Sequence, residues 1–146
     1  MKHRKRNRLS GYNYTHPGFY FVTICTKNRK HFFGGIHNGI MCINRLGSIA
    51  WRQWTWLETQ YDYVRSHAFV VMPNHVHGIL EITEPTSISV GAGRDLPLPE
   101  REYAKIKPLS ELIGAYKMTT SKLIHDIPYT SFTWQRSFHD HIIKNQ

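Results

Sequence analysis

The sequence predicts an α+β fold in which an antiparallel sheet carries its helices mainly on one face. Short runs dense in β-branched and aromatic residues, bounded by turn signals, point to strands. Two longer segments place apolar residues at helical spacing. Their order is strand, hairpin, helix, strand, strand, loop, helix, strand, which suits an α+β sandwich. The 146 residues, 40% hydrophobic and 13% aromatic, are enough for one domain, residues 1–146, around a single core.

The first strand is Gly18-Phe-Tyr-Phe-Val-Thr-Ile-Cys-Thr26. Residues 31–43 form a hairpin, with Asn38-Gly39 as its turn signal. From Gly47 to Tyr61, Ala50, Trp51, Trp54, Leu57 and Tyr61 recur at helical spacing, and Ser48 is a candidate cap. His67 to Met72 is a buried strand, Pro73-Asn74 a turn, and His75 to Ile82 a second strand. Residues 83–107 have no clear period and hold Pro85, Gly91, Gly93, Pro97 and Pro99, so a long mobile loop is expected there. Leu109, Leu112, Ile113, Tyr116, Leu123 and Ile124 share the apolar stripe of a second helix, and Phe138 to Ile143 is a last short strand.

Charge gives the first functional indication. The net charge of +9, with a pI near 9.8, favours a polyanion such as nucleic acid. Lys2, Arg4, Lys5, Arg6 and Arg8 make residues 1–10 a basic N-terminal tail, and Lys27, Arg29 and Lys30 follow. Such a tail is equally a solvated segment without a partner. Cys25 and Cys42 cannot supply a disulfide framework or a four-thiolate zinc site; they read as reduced, half-buried strand residues. The start has charge but no apolar segment behind it, and no apolar run approaches the roughly 20 residues of a membrane span. A soluble, cytoplasmic protein is expected.

Met72-Pro-Asn-His-Val-His-Gly78 is the most informative segment. Residues i and i+2 of a strand share a face, so His75 and His77 stand together while Val76 points into the opposite, apolar layer. At about 3.3 Å of rise per residue, both imidazoles can bend toward one divalent ion. An open coordination sphere would let that ion act as a Lewis acid on a phosphodiester. Imidazole favours manganese, zinc, nickel or iron over magnesium. An isolated His-x-His is also compatible with two surface histidines that merely make hydrogen bonds.

HAFVVMPNHVHGILEI resembles the histidine–hydrophobic–histidine signature of the HUH endonucleases, and more narrowly that of the REP-associated tyrosine transposases and their relatives in the smallest insertion sequences. The likeness extends to YNYTHPGFYFVTICTKNRKHFFG, LSELIGAYKMTTSKL and FTWQRSFHDHIIKNQ, in the right order. It implies a ferredoxin-like or RNA-recognition-like fold, commonly dimeric, so a homodimer is expected. It implies that His75 and His77 are catalytic and hold Mg2+ or Mn2+ against the scissile phosphate. It implies single-stranded DNA beside small hairpins as substrate and a tyrosine nucleophile that forms a 5′-phosphotyrosine link. In the family that tyrosine lies on a helix after the strand corresponding to FHDHIIKN, with a Gln or Asn one turn later as third ligand. The chain stops at Gln146, so neither is expected among these residues, and cleavage by the chain as it stands is not expected.

Other groups are weighed beside this. Tyr116 lies in an apolar stripe and is a core residue first; Tyr103, in the loop, has no motif around it. His139 and His141 form a second His-x-His, read as surface or hydrogen-bonding groups unless their strand adjoins the first pair. Glu81 shares the face of His75 and His77 but lies too far along the strand to share an ion with both. Trp134 reads as a core anchor. Arg8, Lys27, Arg29 and Lys30 are candidate phosphate contacts, which would position DNA without reading its sequence. Tyr12 and Tyr14 would either stack on bases or pin the N-terminal segment to the sheet. Two further readings are a non-catalytic nucleic-acid-binding protein with a vestigial metal site and a small zinc hydrolase using all four histidines.

Overall fold

The structure, a computed structural model, describes residues 8–84 and 106–144. Residues 85–105, most of the loop expected at 83–107, and residues 1–7 of the basic tail lie outside the described residues.

Among the described residues, six strands and two helices follow one another: β1 (Gly18–Cys25), β2 (Gly34–His37), β3 (Ile40–Ile43), α1 (Arg45–Gln60), β4 (Val64–Met72), β5 (His75–Ile82), α2 (Leu109–His125) and β6 (His139–Ile143). A 3-10 turn, Lys27–Arg29, follows β1. The main sheet has the order β4-β5-β1-β6 with every pairing antiparallel. With the β2–β3 hairpin set aside as an insertion, the sequence of elements is the β-α-β-β-α-β of a ferredoxin-like fold. Among the described residues, no helix is long and apolar enough to cross a membrane.

Side-chain alternation divides the sheet into two unlike faces. On one, Tyr20, Val22 and Ile24 of β1 meet Val76, Leu80 and Ile82 of β5, all buried, and the helices cover them. Trp54 of α1 lies flat on Phe69, with ring centroids 4.6 Å apart and 9° between planes. Tyr116 of α2 meets the edge of Trp54 and donates its hydroxyl to the Ala50 carbonyl at 2.9 Å, so its one polar atom is satisfied inside the core. A side chain at Gly78 would not fit: its Cβ would stand 2.7 Å from Trp54 Cη2 and closer still to Cζ2. The opposite face, with the odd-numbered residues of β1 and β5, faces outward.

Several boundaries differ from those read from sequence. The N-cap of α1 is Asn44, whose side chain accepts from the Gly47 amide at 2.9 Å, and not Ser48, which is already inside the helix. Strand β4 begins at Val64, earlier than expected, and is not the buried strand read from sequence: it lies at the sheet edge with His67, Ala68 and Val70 exposed, and a bulge between Ser66 and Ala68 interrupts its pairing. Cys25 is half-buried as expected, but Cys42 is exposed on the hairpin. Asn38 and Gly39 both have positive φ, 50° and 76°, as the tight β2–β3 turn requires. Tyr12 and Tyr14 pack against the core around Tyr20, which is the pinning role.

Candidate metal centre and nucleic-acid interface

His75 and His77 begin β5, an interior strand of the sheet, on its outward face. The Pro73–Asn74 turn and the pairing of β5 with β1 and β4 fix the backbone beneath them. The two rings meet edge to face with centroids 4.4 Å apart. His75 Nδ1 lies 2.6 Å from Asn74 Oδ1, and His77 Nδ1 lies 2.9 Å from Thr23 Oγ1, its cross-strand neighbour. Phe21 stacks on His77 at 5.5 Å and 22°. Each imidazole is therefore held at Nδ1 and backed by a neighbour.

The hydrogen bonding sets the chemistry of the pair. Asn74 donates from Nδ2 to the Arg29 carbonyl at 3.3 Å, which fixes its Oδ1 as the acceptor facing His75. His75 then carries its proton on Nδ1 and directs the Nε2 lone pair outward. The Thr23 hydroxyl, able to donate or accept, holds His77 at the same ring nitrogen. Burial holds His75 below the usual imidazole range, with the neighbouring His77 and Arg29 charges acting in the same direction; burial lowers His77 too. Both rings thus favour the neutral form that a metal requires. Two neutral imidazoles, each anchored through its far nitrogen, form a donor set that fits a divalent ion with remaining positions for water or substrate. Among the described residues, no cluster of three or more His, Cys, Asp or Glu side chains joins them.

The other histidines and acids of this face are engaged separately. His139 and His141 lie on the neighbouring edge of the sheet, in register with Thr23 and Phe21, and both are exposed. They are brought to the same face as the first pair, with β1 between. Glu81 pairs with His67 at 2.5 Å, at the other end of β5. Tyr116 is buried, and burial raises its phenol pKa, which suits a core residue and not a nucleophile. Trp134 is a core anchor, 8% exposed and packed on Phe33 and Phe132.

The four cations named from sequence separate into two places. Lys27 and Arg29 line one wall of a shallow groove of about 490 Å³; Lys30, exposed, follows them at the end of the turn. Arg8 is elsewhere, its guanidinium 4.8 Å from the centroid of the Phe138 ring. The turn is joined to the histidines through Asn74. The buried Thr26 hydroxyl is shared between the Lys30 carbonyl at 2.8 Å and the Asn74 carbonyl at 3.0 Å, and the Thr26 amide also donates to Asn74 at 2.9 Å. Asn74 and Thr23 are the site residues that the sequence reading missed. Asn74 had a visible signal, an amide beside a histidine in a tight turn; Thr23 needs the strand register, because 54 positions separate it from His77.

The fold is similar to that of solved transposases. A REP-associated tyrosine transposase bound to a REP hairpin superposes with a TM-score of 0.57 at 17% identity, over 100% of this chain and 64% of that one. A Deinococcus radiodurans protein provisionally assigned as a transposase gives 0.50 at 15% identity, over 94% and 87%. The chain has the transposase fold; it spans less than two thirds of the hairpin-bound transposase. An uncharacterized protein of Haemophilus influenzae is 34% identical over 151 residues, covering 100% of this chain and 82% of that protein, and the chain belongs to the same family as that protein. No family model matches the sequence.

Proposed function

We propose that this chain is the metal-binding and strand-holding part of a transposase-type HUH endonuclease that acts in the cytoplasm on single-stranded DNA beside hairpins. The observation that carries this is the His75–His77 pair, edge to face on an interior strand with both Nδ1 atoms tied, in a fold shared with a transposase bound to a REP hairpin. His75 and His77 would hold Mg2+ or Mn2+. Such an ion, when bound, supplies Lewis-acid polarisation of a phosphate oxygen. The chain's own residues orient and position: Asn74 sets the His75 tautomer, Thr23 and Phe21 limit rotation of His77, and Lys27, Arg29, Lys30 and Arg8 offer positive charge to phosphates. A homodimer, and a tyrosine nucleophile that is not among these residues, belong to the same proposal.

Metal and DNA titrations test it together. The purified chain should bind Mn2+ and a single-stranded oligonucleotide carrying a hairpin, with DNA binding weakened by added salt. His75→Ala with His77→Ala should abolish Mn2+ binding and leave the melting temperature close to that of the parent. Retention of Mn2+ binding by the double variant would remove the metal site, and failure of the parent to bind hairpin DNA at low salt would remove the substrate. Sedimentation of the protein with and without DNA checks the dimer.

A second reading, a non-catalytic nucleic-acid-binding protein with a vestigial metal site, is favoured by the two-histidine donor set, to which no described His, Cys, Asp or Glu adds a third. Under it, hairpin DNA binds equally well with or without Mn2+ and with or without the histidines.

A further inference from the structure

We infer that the groove between the turn Lys27–Arg29 and the extended segment 133–136 is a binding track for the sugar-phosphate backbone of a single nucleic-acid strand. One wall of the groove is joined to the histidine pair through Asn74. The inference rests on the reading that the chain handles single-stranded DNA at His75 and His77, and it adds a wall that charge counting along the sequence does not reveal.

The groove, about 490 Å³, has Lys27, Asn28 and Arg29 on one side, and Thr133, Gln135 and Arg136 on the other. Three cations line it and no carboxylate does. A surface depression with that composition recognises an anion, and its hydroxyl and amide side chains match phosphate and sugar oxygens. Trp134, between the walls, is buried and spends its indole N–H on the Lys117 carbonyl at 3.2 Å, so it forms a floor and offers no stacking platform. Recognition there is of backbone and not of base.

The walls are held at a fixed spacing. Lys27 N–H donates to the Thr133 carbonyl at 2.9 Å, Gln135 N–H donates to the Cys25 carbonyl at 2.9 Å, and Thr26 pairs with Trp134 as an isolated bridge. Lys117 of α2 donates its ammonium to the Gln135 carbonyl at 2.6 Å. The turn itself is strained: Asn28 and Arg29 sit at φ of 55° and 53°, a conformation that a residue such as Arg rarely adopts. Backbone strain of this kind is retained where the surroundings enforce it. The enforcing contacts run to the metal centre, since Asn74 donates to the Arg29 carbonyl and faces His75 with its other amide atom. The groove and the histidines are therefore built on one joint.

A second depression of about 410 Å³ shares the segment 133–136 and is bounded on its far side by Gly114, Lys117 and Met118 of α2. A flexible single strand can follow such a bent, concave path, whereas a duplex presents its phosphates on a convex cylinder.

Fluorescence anisotropy of the full chain with a labelled single-stranded oligonucleotide, measured across a salt series, tests the track. Each phosphate contact on a single strand contributes a slope of about −0.7 in log affinity against log salt. Lys27→Gln with Arg136→Gln should therefore make the slope shallower by about 1.4 and weaken binding by about tenfold or more at low salt. A control pair, Arg45→Gln with Arg52→Gln on exposed α1 positions, removes the same net charge and should change the slope little. Gln135→Lys, which adds a cation to the groove, should tighten binding. A groove variant indistinguishable from the α1 control overturns the track while the DNA-binding reading stands. A hairpin-free duplex that competes as well as the single strand overturns its single-strand character. Absence of any binding by the parent overturns both the track and the proposed function. Melting curves confirm that each variant is folded.

Discussion

The two faces of β5 use the same backbone for opposite purposes. Val76, Gly78, Leu80 and Ile82 turn inward, where burial and close packing decide each residue; Gly78 is required because the Trp54 ring occupies the space of a side chain. His75, His77, Ile79 and Glu81 turn outward and keep polar groups accessible, each histidine held by one hydrogen bond. The inner face makes a rigid floor, and the outer face needs that rigidity to hold two imidazoles at a fixed angle. Stability and chemistry are thus separated by the two-residue period of a strand.

Substitutions should respect the division. The largest effect is expected from Trp54→Ala, which removes a stacked and hydrogen-bonded indole from the core: a loss of about 3–5 kcal/mol by urea denaturation. Gly78→Ala keeps the strand but drives a methyl into Trp54, costing about 1–3 kcal/mol and disturbing the backbone next to His77. If Gly78→Ala proves neutral, the close packing of the two faces is overstated. Outward changes should move affinity in place of stability. Asn74→Ala frees the His75 ring and loosens the basic turn, so Mn2+ affinity should fall about 10–100-fold by calorimetry with little change in melting.

The smallest effect is on pH dependence. Both histidines have pKa values lowered from the usual 6.5, so the unfolded chain takes up protons that the folded chain resists. Their contribution to stability is complete above about pH 6.5 and is lost as the pH falls through the folded values. In metal-free protein, the parent should therefore lose stability between pH 7 and 5 faster than His75→Gln with His77→Gln. Parallel curves would mean that the rings are as solvated when folded as when unfolded.

Much of the fold was legible because its signals are local. Helical spacing marked both described helices, β-branched and aromatic runs marked the strands of the main sheet, and Asn38-Gly39 marked the hairpin. The start of β4 was missed because the segment was read as a buried apolar strand, whereas it is an edge strand that carries the polar Arg65, Ser66 and His67 and a bulge at Ser66–Ala68. Ser48 was preferred to Asn44 as a cap because both residue types cap well, and only the hydrogen bond from the Gly47 amide distinguishes them.

What the sequence determined by itself about this protein is the layering of the sheet and the presence of two histidines on one face. Both follow from the period of a strand, a property of neighbours along the chain. Tertiary structure decided everything that joins distant segments: Thr23 against His77, Asn74 between His75 and Arg29, and Arg136 across the groove from Lys27. Strand register and loop packing set those meetings, and neither is a local property of the chain. His75 and His77 were therefore visible from the outset, whereas the residues that hold them and the groove beside them were not.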